Sequence, residues 1–130
     1  MSVHIQKAAQ GRIAQTITAR THSLLADEPL NIGDDLGMTP HELLDAALGA
    51  RTALTLRLYA KHKGWDLQEV SVTLQHASSA KGHTMTRQIV LVGELDATQR
   101  ARLLDVAHKC PVHKALSNPI TIDTHLIAPP

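Results

Sequence analysis

Hydrophobic and polar residues change their spacing several times along the chain, and each change predicts a different element. The longest helical pattern runs from Thr39 to Lys63. Thr39 suits the N-cap, Pro40 suits the first helical position, and Glu42 completes a capping box. Three basic residues suit the negative end of the helix dipole, and Gly64 suits the left-handed position that follows. The pattern predicts one helix of about 24 residues, ~36 Å long.

Leucine and alanine cover more than one stripe of this predicted helix. A helix that is apolar on most sides is buried on most sides, so we expect a sheet wrapped around it, a partner subunit, or both. Arg51 stands in the middle of the apolar stretch. A buried arginine needs an anion, a carboxylate or a water-filled pocket. The alternative is that Arg51 lies on one exposed stripe of the helix, with Arg57.

Alternating apolar and polar residues predict strands on both sides of this helix. Three short strands are predicted before it, near residues 3–5, 13–19 and 22–26. A loop over residues 31–38, which contains two glycines, joins them to the helix. Two strands are predicted after it, at residues 70–74 and 84–95, with a small polar loop at residues 77–82 between them.

The C-terminal part predicts two helices and a last strand. Asp96 caps the first helix, and Gln99 completes a second capping box. Cys110 is the predicted N-cap of a short second helix, with Pro111 at its first position. Residues 120–127 are predicted to form the last strand. The order β-β-β-α-β-β-α-α-β is typical of an α+β fold with mainly antiparallel pairing.

Composition limits the size and the partners of this fold. A chain of 130 residues predicts a single domain, residues 1–130. It is 43% apolar but only 2% aromatic, so the core must be aliphatic, and oligomerisation would help to cover it. The net charge of +1 gives no basic stripe for nucleic acid. Without a targeting or transmembrane segment, we expect a soluble, cytoplasmic protein with no membrane partner.

Two stretches of the chain resemble the OsmC/Ohr family, and most of all its short OsmC-like members. They are TPHELLDAALGARTALTLRLYAKHKGW and GELDATQRARLLDVAHKCPVHKALSNPITIDT, in matching order. The resemblance implies an OsmC-like fold, with antiparallel sheets wrapped around a long central helix, in an intertwined homodimer. It also implies kinship with thiol-dependent peroxidases, which reduce organic hydroperoxides with two cysteines and need no cofactor.

The chain departs from this family at Arg51. The resemblance places the peroxidatic cysteine of the family at Arg51, within GARTA, and the resolving cysteine of the CPVH motif at Cys110. Peroxide reduction needs a thiolate that becomes a sulfenic acid. Arginine is permanently protonated and cannot be that nucleophile. With one cysteine, the chain cannot run the two-cysteine cycle.

The resemblance suggests further site residues. His41 falls at the position of the Ohr-type glutamate, and Glu42 follows one residue later, so both are candidates for the site. The family also uses an arginine from an N-terminal segment. Arg12 and Arg20 are both candidates for that role, and the sequence does not choose between them.

Several interpretations of the site stay open. Cys110 lies where a helix dipole favours thiolate, and the resemblance places Arg51 nearby. One interpretation is a one-cysteine peroxidase that an external thiol reductant restores, and the other is that Cys110 is an inert remnant. The alternative is a non-catalytic binder of a small anionic or apolar ligand, in a dimer-interface cavity beside Arg51. A further alternative is that Arg51 pairs with a carboxylate such as Glu42 or Asp45, or with one from the other chain. The last is that the natural protein has another residue at position 51.

Nine histidines raise the question of a metal site. His108, Cys110 and His113 are ligand-type residues, but the helix break between them and the lack of a fourth ligand argue against structural zinc. His76 and His83 read as solvated or ordinary sheet residues. We therefore predict no metal.

Overall fold

The computed structural model describes all 130 residues of the chain, in the α+β architecture that the sequence predicts. Five strands and three helices follow in the order β1-β2-β3-α1-β4-β5-α2-α3. The strands are β1 (His4–Lys7), β2 (Gln15–Ala19), β3 (His22–Ala26), β4 (Asp66–Ser79) and β5 (Gly82–Glu94). The helices are α1 (Pro40–Lys63), α2 (Ala97–His108) and α3 (Pro111–Ser117).

Two compact units divide the chain. The first contains residues 1–47 and 74–86, and the second contains residues 48–73 and 87–130. Helix α1 and the β4–β5 hairpin each contribute residues to both units, so neither unit is a continuous segment. The single domain stays a prediction.

The first three strands form an antiparallel sheet in the first unit, in the order β1-β2-β3. The register places Ile5 opposite Ile17 and Ile17 opposite Leu24. Directly paired residues point to the same face of a sheet, so these three apolar side chains form one row. The predicted strands are therefore confirmed, although β2 begins two residues later than the expected start at residue 13.

Helix α1 has the ends that its sequence predicts. The Thr39 amide donates to Glu42 Oε1 over 2.9 Å, and the Glu42 amide donates to Thr39 Oγ1 over 3.2 Å, so the capping box forms. At the C-terminus, Gly64 adopts a positive φ of 71°. The amides of Gly64 and Trp65 donate to the last turn in the pattern of a Schellman motif.

Burial of α1 within this chain is narrower than its composition predicts. The buried side chains form one stripe at four-residue spacing, which consists of Leu48, Thr52, Leu56 and Ala60. Leu54 and Leu58 are 56% and 60% exposed. Within the single chain, no sheet covers the face that carries these two leucines. That a partner subunit buries this face stays a prediction.

The core of the second unit joins α1 to α2. Its buried members are Leu56, Ala60, Leu67, Leu103 and Ala107. Helix α2 begins with the predicted capping box, in which Asp96 Oδ1 accepts the Gln99 amide over 2.7 Å. The cap fixes where α2 starts, and therefore which of its residues face α1.

The β4–β5 hairpin is longer than the sequence predicts. Both strands extend through most of the expected loop, and only Ala80 and Lys81 remain as the turn. A two-residue turn reverses the chain, so the strands are antiparallel. Backbone pairing along the hairpin overrides the weak strand preference of the alanine and serines near its tip.

The predicted last strand is absent. After α3, residues 118–130 form no helix or strand. Ile122 is 80% exposed, and Ile120 and Ile127 are exposed as well. Alternation alone predicts which face a strand would bury, but a strand also needs a neighbour to pair with, and residues 118–130 pair with none of the five strands.

Candidate thiol site

Cys110 lies at the junction between α2 and α3, as the sequence predicts. It is the N-cap of α3, with φ −67° and ψ 149°, and Pro111 follows at the first helical position. Its Sγ accepts a hydrogen bond from the His113 amide over 3.3 Å. The residue is only 1% exposed. The one thiol of the chain is therefore held by a backbone donor and shielded from solvent.

A polar cluster lies beside this thiol, and we define it as buried Thr52 with half-buried Arg87 and His113. Arg87 donates through Nη1 to Thr52 Oγ1 over 2.9 Å, and its Nη2 lies 3.0 Å from His113 Nδ1. Thr52 is fully buried, and its hydroxyl donates to the Leu48 carbonyl over 2.7 Å. The cluster thus ties β5 to α1 and to the first turn of α3.

The environment of His113 favours the neutral form of its ring. Burial lowers the pKa of His113, and the positive charge of Arg87 lowers it further, with a smaller effect from His108. A guanidinium carries only donors, so Arg87 Nη2 donates to Nδ1 and the ring proton resides on Nε2. The neutral ring therefore accepts from Arg87 and has one N–H left to donate.

Arg87 is not among the site residues that the sequence predicts. Its signal was present, because Met85, Arg87, Ile89 and Leu91 alternate along β5 and all lie on the half-buried face. A charged residue on the inward face of a strand needs a buried partner. That partner is a threonine on a distant helix, which the local pattern does not reveal.

Arg51 lies on the exposed face of α1. No ion pair joins it to a carboxylate of this chain. Its neighbour Thr52 points inward and belongs to the polar cluster, since successive helical residues point about 100° apart. The alternative of an exposed Arg51 is confirmed for the single chain. That Arg51 serves the Cys110 thiol stays a prediction.

Exposed Arg57, by contrast, is engaged within the chain. Its Nη1 and Nη2 donate to the carbonyls of Leu67 and Gln68. These bonds attach α1 to the start of β4. Arg51 and Arg57 are both exposed, but only Arg57 has backbone carbonyl partners within the chain.

The two residues predicted near the start of α1 have other contacts. Glu42 is occupied by the capping box with Thr39. The ring of His41 packs against the rings of His76 and His83, with centroids 5.2 and 5.6 Å away. No hydrogen bond joins either residue to Cys110, and their catalytic role stays a prediction.

The two candidate N-terminal arginines lie in the first unit. Arg12 donates through Nη2 to the Gly33 carbonyl over 2.6 Å and forms an ion pair with Asp34 at 3.4 Å. It therefore holds the loop before α1. Arg20 occupies the β2–β3 turn with a positive φ of 55°. Neither arginine has a contact that identifies it as the family's N-terminal arginine.

The three ligand-type residues that the sequence analysis weighed and set aside as a metal site, His108, Cys110 and His113, have other partners in the structure. His108 and His113 have ring centroids 5.9 Å apart. Nδ1 of His113 faces the Arg87 guanidinium, and Cys110 Sγ is taken by an amide. A fixed cation beside a ligand nitrogen disfavours a second cation there.

An apolar cavity of about 190 Å³ also lies in the second unit. It is lined by Leu56, Ile89, Leu91, Arg100 and Leu104. Arg100 donates to carbonyls at the end of β5, so its charge is already solvated by the backbone. The lining suits a small apolar group better than an anion.

None of the three helices has the length and apolar character that crossing a bilayer requires.

Comparison with known proteins agrees with this architecture. Residues 33–125 match the family model described as OsmC-like protein. No curated protein matches the sequence significantly. Among solved structures, the OsmC-like protein of Mycoplasma pneumoniae aligns with a TM-score of 0.77 at 17% identity, over 89% of this chain and 86% of that chain.

Two hydroperoxide resistance proteins are similar as well. The organic hydroperoxide resistance protein OsmC of Legionella pneumophila has a TM-score of 0.65 at 20% identity, over 89% of each chain. The organic hydroperoxide resistance protein OhrB of Bacillus subtilis has a TM-score of 0.61 at 20% identity, over 88% of this chain and 87% of that chain. At identities this low, the structural similarity establishes a shared fold and nothing more specific.

Proposed function

Because this chain belongs to the family of OsmC-like proteins, we propose that it is a relative of thiol-dependent hydroperoxide reductases that has lost the two-cysteine cycle. Whatever peroxide chemistry remains is centred on Cys110. The observation that supports this proposal is the single thiol, which stands beside the Arg87–His113 pair with its sulfur hydrogen-bonded to an amide. By the resemblance, Arg51 takes the place of the family's peroxidatic thiol.

The chemistry of such a site follows from one thiol. The Cys110 thiolate attacks the terminal oxygen of a hydroperoxide, and the O–O bond breaks. The alcohol leaves as an alkoxide that takes a proton, and the sulfur becomes a sulfenic acid. An external dithiol then reduces the sulfenic acid to the thiol, releases water and becomes a disulfide. Without a resolving partner in the chain, the reductant must reach Cys110 itself.

Burial sets the expected rate of this reaction. At 1% exposure, Cys110 meets a hydroperoxide only when the α2–α3 junction opens. Oxidation of cysteine follows thiolate character and access. We therefore expect slow turnover, well below that of a family member with both cysteines, or none.

The test is hydroperoxide consumption with cumene hydroperoxide and a dithiol reductant. The natural chain is compared with Cys110→Ser, Arg51→Cys and Arg51→Ala. Turnover by the natural chain that Cys110→Ser abolishes supports the one-cysteine site. Turnover by Arg51→Cys alone shows that the fold supports the cycle and that the natural chain has abandoned it. Arg51→Ala separates removal of the charge from addition of a thiol.

We further propose that the chain forms the homodimer, with α1 at its centre, that the resemblance implies. Leu54 and Leu58 share the exposed face of α1 with Arg51, and Val90 and Val92 are exposed on β5. Large apolar side chains that share an exposed face mark an interaction surface. Light scattering should give twice the chain mass of 14.1 kDa. A Leu54→Asp, Leu58→Asp chain that keeps the full dimer mass would contradict this interface.

The second candidate function is a non-catalytic binder that uses Arg51. It is favoured by one observation: Arg51 is exposed, and no carboxylate of its own chain pairs with it. A small carboxylate or phosphate would find a bidentate donor there. Calorimetric titration with inorganic phosphate and with a medium-chain fatty acid should show binding that Arg51→Gln abolishes and Arg20→Gln preserves. Equal binding by both variants would contradict this role.

A further inference from the structure

Three histidines that lie far apart in the sequence meet in the first unit. His41 is in the first turn of α1, His76 lies near the end of β4, and His83 lies near the start of β5. Their ring centroids are 5.1 to 5.6 Å apart in all three pairs. Each ring offers one nitrogen, and these three nitrogens all lie within 4.8 Å of one another. We call this group the histidine triad.

Asp45 fixes the orientation of the central ring. His76 Nδ1 lies 2.9 Å from Asp45 Oδ1, and the side chains of the pair are only 13% and 16% exposed. The carboxylate accepts a hydrogen bond and therefore keeps the ring proton on Nδ1. The lone pair of Nε2 then points to the other side of the ring. A carboxylate behind a histidine is the arrangement that orients metal-binding imidazoles.

That lone pair faces His83. His76 Nε2 accepts a hydrogen bond from His83 Nδ1–H over 2.9 Å, and a metal ion bound by both nitrogens would displace that proton. In a tetrahedral zinc site with Zn–N bonds of 2.0–2.1 Å, two ligand nitrogens stand about 3.3 Å apart. The pair therefore needs to open by only a few tenths of an ångström. His41 and His83 are exposed, so their rings can turn toward a shared centre without disturbing a core.

We propose that His41, His76 and His83 bind one borderline divalent metal ion of the zinc type, with Asp45 as a positioning residue for His76. Neutral imidazole is a preferred ligand of zinc, copper and nickel. Three protein ligands and the exposure of two of them leave the fourth position to solvent or a small ligand, unlike a closed structural site. The site would join the first turn of α1 to the hairpin, and it is independent of the Cys110 proposal.

From the sequence alone, His76 and His83 read as solvated or ordinary sheet residues, and no metal is predicted. The spacing of the triad explains why, because His41 and His76 are separated by most of α1 and β4. No short motif carries these ligands. Only the folded chain brings the hairpin to the helix N-terminus.

The test uses the full chain without a histidine tag. Zinc and cobalt chlorides are titrated separately, with calorimetry for zinc and the visible absorption of bound cobalt for coordination geometry. We expect one metal ion per chain. His76→Gln and His83→Gln should weaken binding at least about tenfold. The matched control is His22→Gln, which removes an exposed histidine of β3 in the same unit and should bind as the natural chain does.

Asp45→Asn separates a positioning role from a structural one. It should weaken zinc binding about tenfold and change the cobalt spectrum, while the far-ultraviolet circular dichroism stays the same. His41 is exposed, so His41→Gln should weaken metal binding without changing the fold. This variant keeps the test decisive if a substitution at half-buried His76 or Asp45 prevents folding. Absence of stoichiometric binding, or equal loss in His22→Gln and His76→Gln, would overturn the proposal.

Discussion

Removing the hydroxyl of Thr52 tests how much its hydrogen bond with Arg87 stabilises the fold. Thr52→Val keeps the shape of the side chain and nearly the same helix propensity, but it removes the acceptor of Arg87 Nη1. A hydrogen bond to a charged group contributes about 1.5–3 kcal/mol, and an unpaired buried donor keeps its desolvation cost. Arg87 is only half-buried and retains His113, so we expect a loss of about 2 kcal/mol in the free energy of unfolding.

Thr55 provides a matched control one turn away on the same helix. Its Oγ1 is buried and has no hydrogen-bond partner. Thr55→Val therefore removes a polar atom that is already unsatisfied, and we expect no loss, or a gain of up to about 1 kcal/mol. The same substitution should therefore lower the free energy of unfolding at position 52 but not at position 55, three residues away.

Urea unfolding monitored by circular dichroism, with every variant at one chain concentration, measures both effects. With a denaturant slope of about 1–3 kcal/mol per molar, Thr52→Val should lower the midpoint by roughly 1 M and leave the slope unchanged. Combining Thr52→Val with Arg87→Met completes a double-mutant cycle, in which the pair should show about 1 kcal/mol or more of coupling. Equal costs for the two valine variants, or zero coupling, would refute the argument.

Two further predictions concern His113 and Gly93. Burial lowers the pKa of His113, and Arg87 lowers it further. Below about pH 6.5, the unfolded chain therefore binds more protons than the folded chain. The free energy of unfolding should fall as the pH falls from there toward the lower pKa of the folded state. Denaturation midpoints between pH 7.5 and 5 should show this slope, and His113→Gln should flatten it; identical slopes would contradict the assignment. Gly93 has a φ of 149°, and a Cβ there would overlap the Asp66 carbonyl oxygen, so Gly93→Ala should cost more than about 2 kcal/mol. The control Gly82→Ala, with a φ of 117° and open space around it, should cost only about 1 kcal/mol in the same unfolding assay.

Local sequence is sufficient for the ends of the helices. The capping boxes of α1 and α2, the Schellman turn at Gly64 and the N-cap role of Cys110 all form as predicted. Each involves hydrogen bonds between residues at most five apart, so neighbouring residue types decide them. The same is true of the alternation that predicts the first three strands and the hairpin.

Tertiary structure decides what lies beyond that range. The predicted last strand does not form, because a strand requires pairing with a neighbour and residues 118–130 pair with none of the five strands. Arg87 meets Thr52 across 35 positions of sequence, and His76 meets Asp45 across 31. Such contacts depend on how α1 and the hairpin pack, and one-dimensional periodicity does not contain that information. Side chains of α1 show the division most plainly: sequence determines that the helix forms, and packing determines that Thr52 is buried while Arg51 is exposed.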